Sequence, residues 1–146
     1  MLFRSDVVLA AAGAKFTMAY TKIGLSPDGG SSFFLPRLVG LLQAKRLMLL
    51  NPVLGADEAL ALGIVSEVVP DERLMDRARE VAAQLAAGPT LAYGKVKRLL
   101  AESHRHSLER QLAVEAESIS GLGATADAQE GLAAFVGKRK AAFKGR

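Results

Sequence analysis

The chain has no cysteine among its 146 residues. That excludes disulfides, thiolate nucleophiles and any cysteine-ligated metal. Histidine is nearly absent too: there are two, His104 and His106. A two-residue spacing does not put a pair of ligands on one helix face, so the pair reads as a surface feature near a helix end and no metal is expected. No apolar run approaches the length of a membrane span. Met1 to Ser5 is too short for a signal segment. No membrane partner is expected, and the expected location is the cytoplasm. Motifs that read DNA or RNA are missing, and aromatics do not interleave with the basic residues, so nucleic acid is not an expected partner either.

What is present is a hydrophobic half, 50% of all residues, and a formal charge of +4. The first argues for a folded chain with one core, since disorder needs low hydrophobicity. Much of the charge excess lies at the end, in Lys138, Arg139, Lys140, Lys144 and Arg146. A basic tail of this kind suits nucleic acid, a membrane surface or the phosphates of a small ligand, and without a nucleic-acid motif the first is the weaker reading.

Apolar patterning predicts many helices and few strands. Residues 6–11 read as a short buried strand, 15–18 as a second and 64–69 as a third, closed by Pro70. Residues 38–50 read as one apolar helix, buried through Leu41, Leu42, Leu49 and Leu50, with Lys45 and Arg46 outward. A short helix over 56–62 is stopped by Gly63. Asp71 is placed to cap a helix carrying Val81 and Leu85. Gly88-Pro89 separates it from a helix carrying Val96 and Leu99. Ser107 caps the next, with Leu112 and Ile119 aligned, and Thr125 or Asp127 caps the last, where Asp127 and Glu130 have capping-box spacing. The predicted core is Leu41, Leu49, Leu60, Val81, Leu85, Val96, Leu99, Leu112 and Ile119. The class is α/β overall and α+β within this chain, helix-rich, with strands too few for a self-sufficient sheet.

One stretch points to chemistry. Ser26-Pro27-Asp28-Gly29-Gly30 sets a single carboxylate in a tight turn, between apolar Ile23-Gly24-Leu25 and Phe33-Phe34-Leu35. Pro27 fixes its own φ and the glycines permit angles other residues avoid. Such a turn can hold a carboxylate against an apolar pocket and let a ligand approach the backbone. The plain alternative is a turn residue whose side chain bonds its own backbone.

These residues resemble a known family. Ser26-Pro-Asp-Gly-Gly-Ser31, Leu35-Pro-Arg-Leu-Val-Gly40, Ala56-Asp-Glu-Ala-Leu-Ala-Leu-Gly-Ile-Val65 and Gln129-Glu-Gly-Leu-Ala-Ala-Phe135 with Lys138-Arg139-Lys140 look, in this order and spacing, like the crotonase superfamily, the enoyl-CoA hydratase/isomerase group. The likeness runs from about Asp6 to Arg146. The form Tyr20-x-x-x-Gly24-Leu-Ser-Pro-Asp28-Gly-Gly30 looks closest to 1,2-epoxyphenylacetyl-CoA isomerases of phenylacetate breakdown. The implied fold is the C-terminal portion of a crotonase fold. Residues 1–5 would be a non-family start, 6–70 the end of the core with the Asp28 turn, and 71–146 a C-terminal helical trimerisation region.

The resemblance implies an acyl-CoA substrate, no cofactor beyond the coenzyme A of that substrate, and a trimer or hexamer. Family isomerases carry a catalytic Asp at the position of Asp28. Family hydratases carry a catalytic Glu at the position matched by Tyr20, and a phenol cannot be a carboxylate base at neutral pH. Isomerisation is therefore expected over hydration, with a hydratase or a dehalogenase-like member as alternatives. One carboxylate can take a proton from one carbon and return it to another, and partial removal from water suits it to that task. Tyr20, Ile23 and Gly29 match positions that line the acyl pocket. Phe135 and Lys138 match positions that reach the CoA adenine end. Simple packing of Tyr20 and Phe135, and a solvated Lys138, stand beside those roles. In the family a preceding half carries the two backbone donors that bind the thioester oxygen, and neither is found here. The chain is thus expected to be truncated and inactive alone, or a non-catalytic piece that binds intact subunits.

Overall fold

The computed structural model describes residues 5–146. Of the start read as foreign to the family, residues 1–4 lie outside the described residues. The chain divides into two compact units, Met1–Arg79 and Glu80–Arg146.

In the first unit the strands are shorter than the apolar runs suggest. β1 (Leu9–Ala11) pairs in parallel with β4 (Glu67–Val69), Ala10 opposite Val68. β2 (Lys15–Phe16) pairs antiparallel with β3 (Leu54–Gly55). Ile64 and Val65 leave the expected third strand because both backbone N–H groups are drawn to the carbonyl of Ala59. Gly63, at φ +71°, makes the turn that brings them there. The helix expected over 38–50 is two helices, α1 (Ser31–Val39) and α2 (Leu41–Leu50). Gly40 between them has φ +78° and ψ 158°, which breaks the helical ladder. α3 (Ala56–Ala61) begins where the Glu58 carboxylate accepts from the Gly55 N–H at 2.9 Å.

The core of this unit surrounds Leu35, which is 1% exposed. Ala10, Ala44, Ala56 and Ala59 pack there with Leu47, Leu54, Ile64 and Val65. The small alanines let strands and helices approach closely, which dense packing requires. The predicted core was different. Leu41, Leu49 and Leu60 are exposed, while Ala44, Leu47 and Ala59 from the same helices are buried. α2 is apolar all round, so its pattern does not reveal which side turns inward. Asp71 does not cap a helix as expected. It opens a short 3-10 turn, Asp71–Arg73, ahead of α4 (Leu74–Ala86), and its carboxylate accepts from the Gly13 N–H at 2.9 Å.

The second unit holds α5 (Thr90–Ser103), α6 (Leu108–Gly123) and α7 (Ala126–Val136), with α5 packed on α6 and α6 on α7. Ser107 and Thr125 cap as expected, accepting from the N–H groups of Arg110 and Ala128 at 3.3 and 3.2 Å. Leu85, Val96, Leu112 and Ile119, predicted to be core, are exposed, Ile119 to 74%. Val81 and Leu99 are half-buried. No described helix is long and apolar enough to cross a membrane, and no cluster of three potential metal ligands occurs among the described residues.

Asp127 and Glu130 do not form a capping box. Buried Asp127 accepts from the N–H groups of Lys144 and Gly145 at 2.7 and 2.8 Å, and its own N–H donates to the Arg146 carbonyl at 2.8 Å. Glu130 takes both ends of the Arg139 guanidinium at 2.6 and 2.8 Å and the Ala142 N–H at 2.9 Å. The basic tail is therefore folded back along α7.

The bond from Arg139, then that from Ala142, lowers the Glu130 carboxyl from 4.5 to about 2. A folded-state value below the unfolded one stabilises above the unfolded value and is lost as pH falls through the folded one. The hold of Glu130 on residues 139–142 should therefore be full above pH 4.5 and weaken as pH drops toward about 2. Limited proteolysis or amide exchange of residues 139–146 across that range checks this. Glu130→Gln should loosen residues 139–142 at neutral pH and flatten their acid response, while Asp127 still holds residues 144–146.

Candidate active site

The Asp28 turn leads directly into α1. The Asp28 carbonyl accepts from the Ser31 N–H at 3.0 Å and from its Oγ at 2.7 Å. Gly29 and Gly30 have φ of +60° and +83°. The Gly30 carbonyl then receives the Phe33 and Phe34 N–H groups, both at 2.9 Å. Ser31 is buried and Leu35, one helical turn on, is the centre of the core. The turn is thus anchored through the helix it starts.

Tyr20 and Asp28, eight residues apart in sequence, meet. The phenol donates to Asp28 Oδ1 at 2.7 Å. That bond raises the phenol above the usual tyrosine range, helped by partial burial and by the charge of Asp28. Tyr20 is therefore a protonated donor at neutral pH. The Asp28 side chain is exposed in this chain. The expected removal of the carboxylate from water is not supplied by the described residues, which leave Asp28 exposed.

Tyr20 sits on a short 3-10 helix, Tyr20–Ile23. Ala19 before it has φ +58°, a left-handed conformation that costs a non-glycine residue about 1–3 kcal/mol. The helix is tied to the end of α2. Thr21 Oγ1 donates to the Met48 carbonyl at 2.8 Å and accepts from Asn51 Nδ2. Asn51 is buried and ends α2 in the left-handed conformation at φ +47°. Sequence reading missed Thr21 and Asn51. The Asn51-Pro52 pair after an apolar helix was the available signal for a helix end.

Tyr20, but not Asp28, lines a cleft of about 760 Å³. Phe16, Met18, Tyr20, Ile23 and Leu35 form part of its lining, with Lys15 and Lys22 among its charged residues. Two of the three predicted pocket residues, Tyr20 and Ile23, thus line it. Gly29 does not, and its place is in the turn. Phe135 and Lys138 lie in the second unit at the end of α7. The Phe135 ring is 84% exposed, which excludes simple helix packing for it within this chain. Lys138 is exposed at φ +48°.

The family described as enoyl-CoA hydratase/isomerase matches residues 1–146. A Rhodobacter capsulatus protein named "probable enoyl-CoA hydratase" is 42% identical over 142 residues, which is 97% of this chain and 55% of that protein. An Escherichia coli protein named 1,2-epoxyphenylacetyl-CoA isomerase is 40% identical over 141 residues, 97% of this chain and 54% of that one. The crystal structure of an enoyl-CoA hydratase/isomerase from Cupriavidus metallidurans superimposes with a TM-score of 0.92 at 37% identity, covering 99% of this chain and 54% of the other. The chain spans about half the length of the curated relatives it matches.

The turn is sensitive at Gly30. A Cβ there would lie 3.0 Å from the Phe34 ring, in a conformation that side chains rarely adopt. Gly30→Ala should destabilise the protein by about 1–3 kcal/mol. Chemical denaturation checks it, and an unchanged midpoint would contradict this account of the turn.

Proposed function

The chain belongs to the enoyl-CoA hydratase/isomerase family, and from that premise we propose that it serves an acyl-CoA isomerase in which Asp28 moves the proton. The observation that carries this reading is the Tyr20–Asp28 pair. The residue eight positions before the carboxylate is a phenol that donates to it. Hydration needs acid and base work on a water molecule as well as on the substrate. A single carboxylate suits a reaction in which one proton leaves one carbon and returns to another. No water is added and no cofactor is consumed. Coenzyme A enters as part of the substrate.

The cleft that Tyr20 lines supports an acyl group there, since its lining is largely apolar around Phe16, Met18, Ile23 and Leu35. The Escherichia coli relative's name makes 1,2-epoxyphenylacetyl-CoA the first thioester to assay. Phe135 and Lys138 are proposed to meet the adenine end of CoA, the exposed ring by stacking and the ammonium by pairing with phosphate. Exposed Val96, Leu100, Leu112 and Ile119 support contact with further subunits through the C-terminal helices, in a trimer or hexamer. Hydration is the second reading, favoured by the name of the Rhodobacter capsulatus relative.

Asp28→Asn keeps the shape of the side chain and removes the base. In the enzyme it should lower isomerisation by about 10²–10⁴-fold, the usual contribution of such a group, with acyl-CoA binding retained. Steady-state kinetics and calorimetric binding measure the two halves. A variant that keeps more than about a tenth of the rate defeats the assignment.

A further inference from the structure

We propose that Tyr20 is a positioning residue whose hydroxyl holds Oδ1 of Asp28, so that Oδ2 alone handles the substrate proton. The inference rests on the reading of Asp28 as the proton-transfer carboxylate. The bond is short and directed, 2.7 Å from phenol to Oδ1. The direction of donation follows from chemistry, since an ionised carboxylate only accepts and the phenol is kept protonated. A carboxylate on an exposed turn is otherwise free to rotate about its side-chain bonds, and each orientation but one is unproductive. A single donor from a fixed ring removes that freedom.

The ring is fixed by the backbone beneath it. Ala19 holds a strained left-handed conformation immediately before Tyr20. The Tyr20 N–H donates to the Met18 carbonyl at 2.8 Å, and the Tyr20 carbonyl accepts from Leu25 at 3.1 Å. Thr21, the next residue, is tied to Met48 and Asn51 at the end of α2. Strain of this kind persists where surrounding structure over-determines it, and it collects at functional sites. Here both sides of the pair are anchored separately: Tyr20 through Thr21 to α2, and Asp28 through Ser31 to α1. The hydroxyl spans the space between two fixed points.

The same arrangement excludes a second role for Tyr20. A phenol pushed above its ordinary range by its bond to Asp28 is a poor general acid near neutral pH. It orients the carboxylate and leaves the proton to it.

Two measurements test the proposal. The first needs no turnover. The chain has two tyrosines, so Tyr93→Phe leaves Tyr20 as its one phenol. In that background, carbon-13 NMR titration of the ring should show an elevated midpoint that falls toward the ordinary tyrosine range in Asp28→Ala. An identical midpoint in both proteins overturns the pairing. The second is kinetic. In the active enzyme, Tyr20→Phe keeps the ring and its packing, and should lower kcat by about tenfold or more with KM unchanged, the scale of loss from a misplaced catalytic group. A kcat within about threefold of wild type, or a loss in kcat matched by a rise in KM, overturns the positioning role. An Asp28→Asn enzyme at full rate defeats the proposed function itself. An inactive Asp28→Asn beside a fully active Tyr20→Phe defeats only the role of Tyr20.

Discussion

The burial of Leu35 is the constraint on which the candidate site depends. Leu35 is almost wholly removed from water, against alanines from β1, α2 and α3. Its burial sets the direction of α1. The direction of α1 sets Ser31, whose backbone and hydroxyl both bind the Asp28 carbonyl. The carboxylate thus stands at the end of a chain of fixed positions that begins in the core. The opposite partner has its own route, from α2 through Asn51 and Thr21 to Tyr20. A site made of one loop residue would be imprecise. One made of two separately anchored residues joined by a hydrogen bond is not.

That geometry bears on the chemistry. Enzymes of this family act on CoA thioesters, and the names of this chain's relatives include both hydratase and isomerase. The distinction rests on how many groups can exchange protons at the acyl chain. A carboxylate bonded by a phenol provides one such group and one orienting donor. The proposed reading of the chain as part of an isomerase rests on that pair, in which the residue eight positions before Asp28 is a phenol.

The local turns and caps were legible in the sequence, and less of the packing. The Pro27-Asp28-Gly29-Gly30 turn, the stops at Gly63 and Gly88-Pro89, and the caps at Ser107 and Thr125 depend on local backbone chemistry, and the structure bears them out. The contact between Tyr20 and Asp28 was not legible, because it depends on the left-handed turn at Ala19, a residue with no preference for that conformation. The break at Gly40 was hidden inside a continuous apolar run. The predicted core failed for a more general reason. An apolar residue at helical spacing, such as Leu49, Leu112 or Ile119, marks a surface that favours cover without saying what covers it. Leu41, Leu49, Leu112 and Ile119 remain exposed in this chain, while Ala10, Ala44, Ala56 and Ala59 share the observed core with Leu35, Leu47, Leu54, Ile64 and Val65. Alanine fits a tight core and an exposed helix equally well, so its burial cannot be read from pattern.

The most direct test of the central claim is the fate of solvent oxygen. The enzyme is run on 1,2-epoxyphenylacetyl-CoA and on a simple enoyl-CoA in water enriched in oxygen-18, and the acyl chain of each product is weighed by mass spectrometry. A single-carboxylate isomerase moves a proton and adds no water. The account predicts rearranged product with no oxygen-18 in the acyl chain. Product carrying solvent oxygen there would mean that the site activates water, and would contradict it.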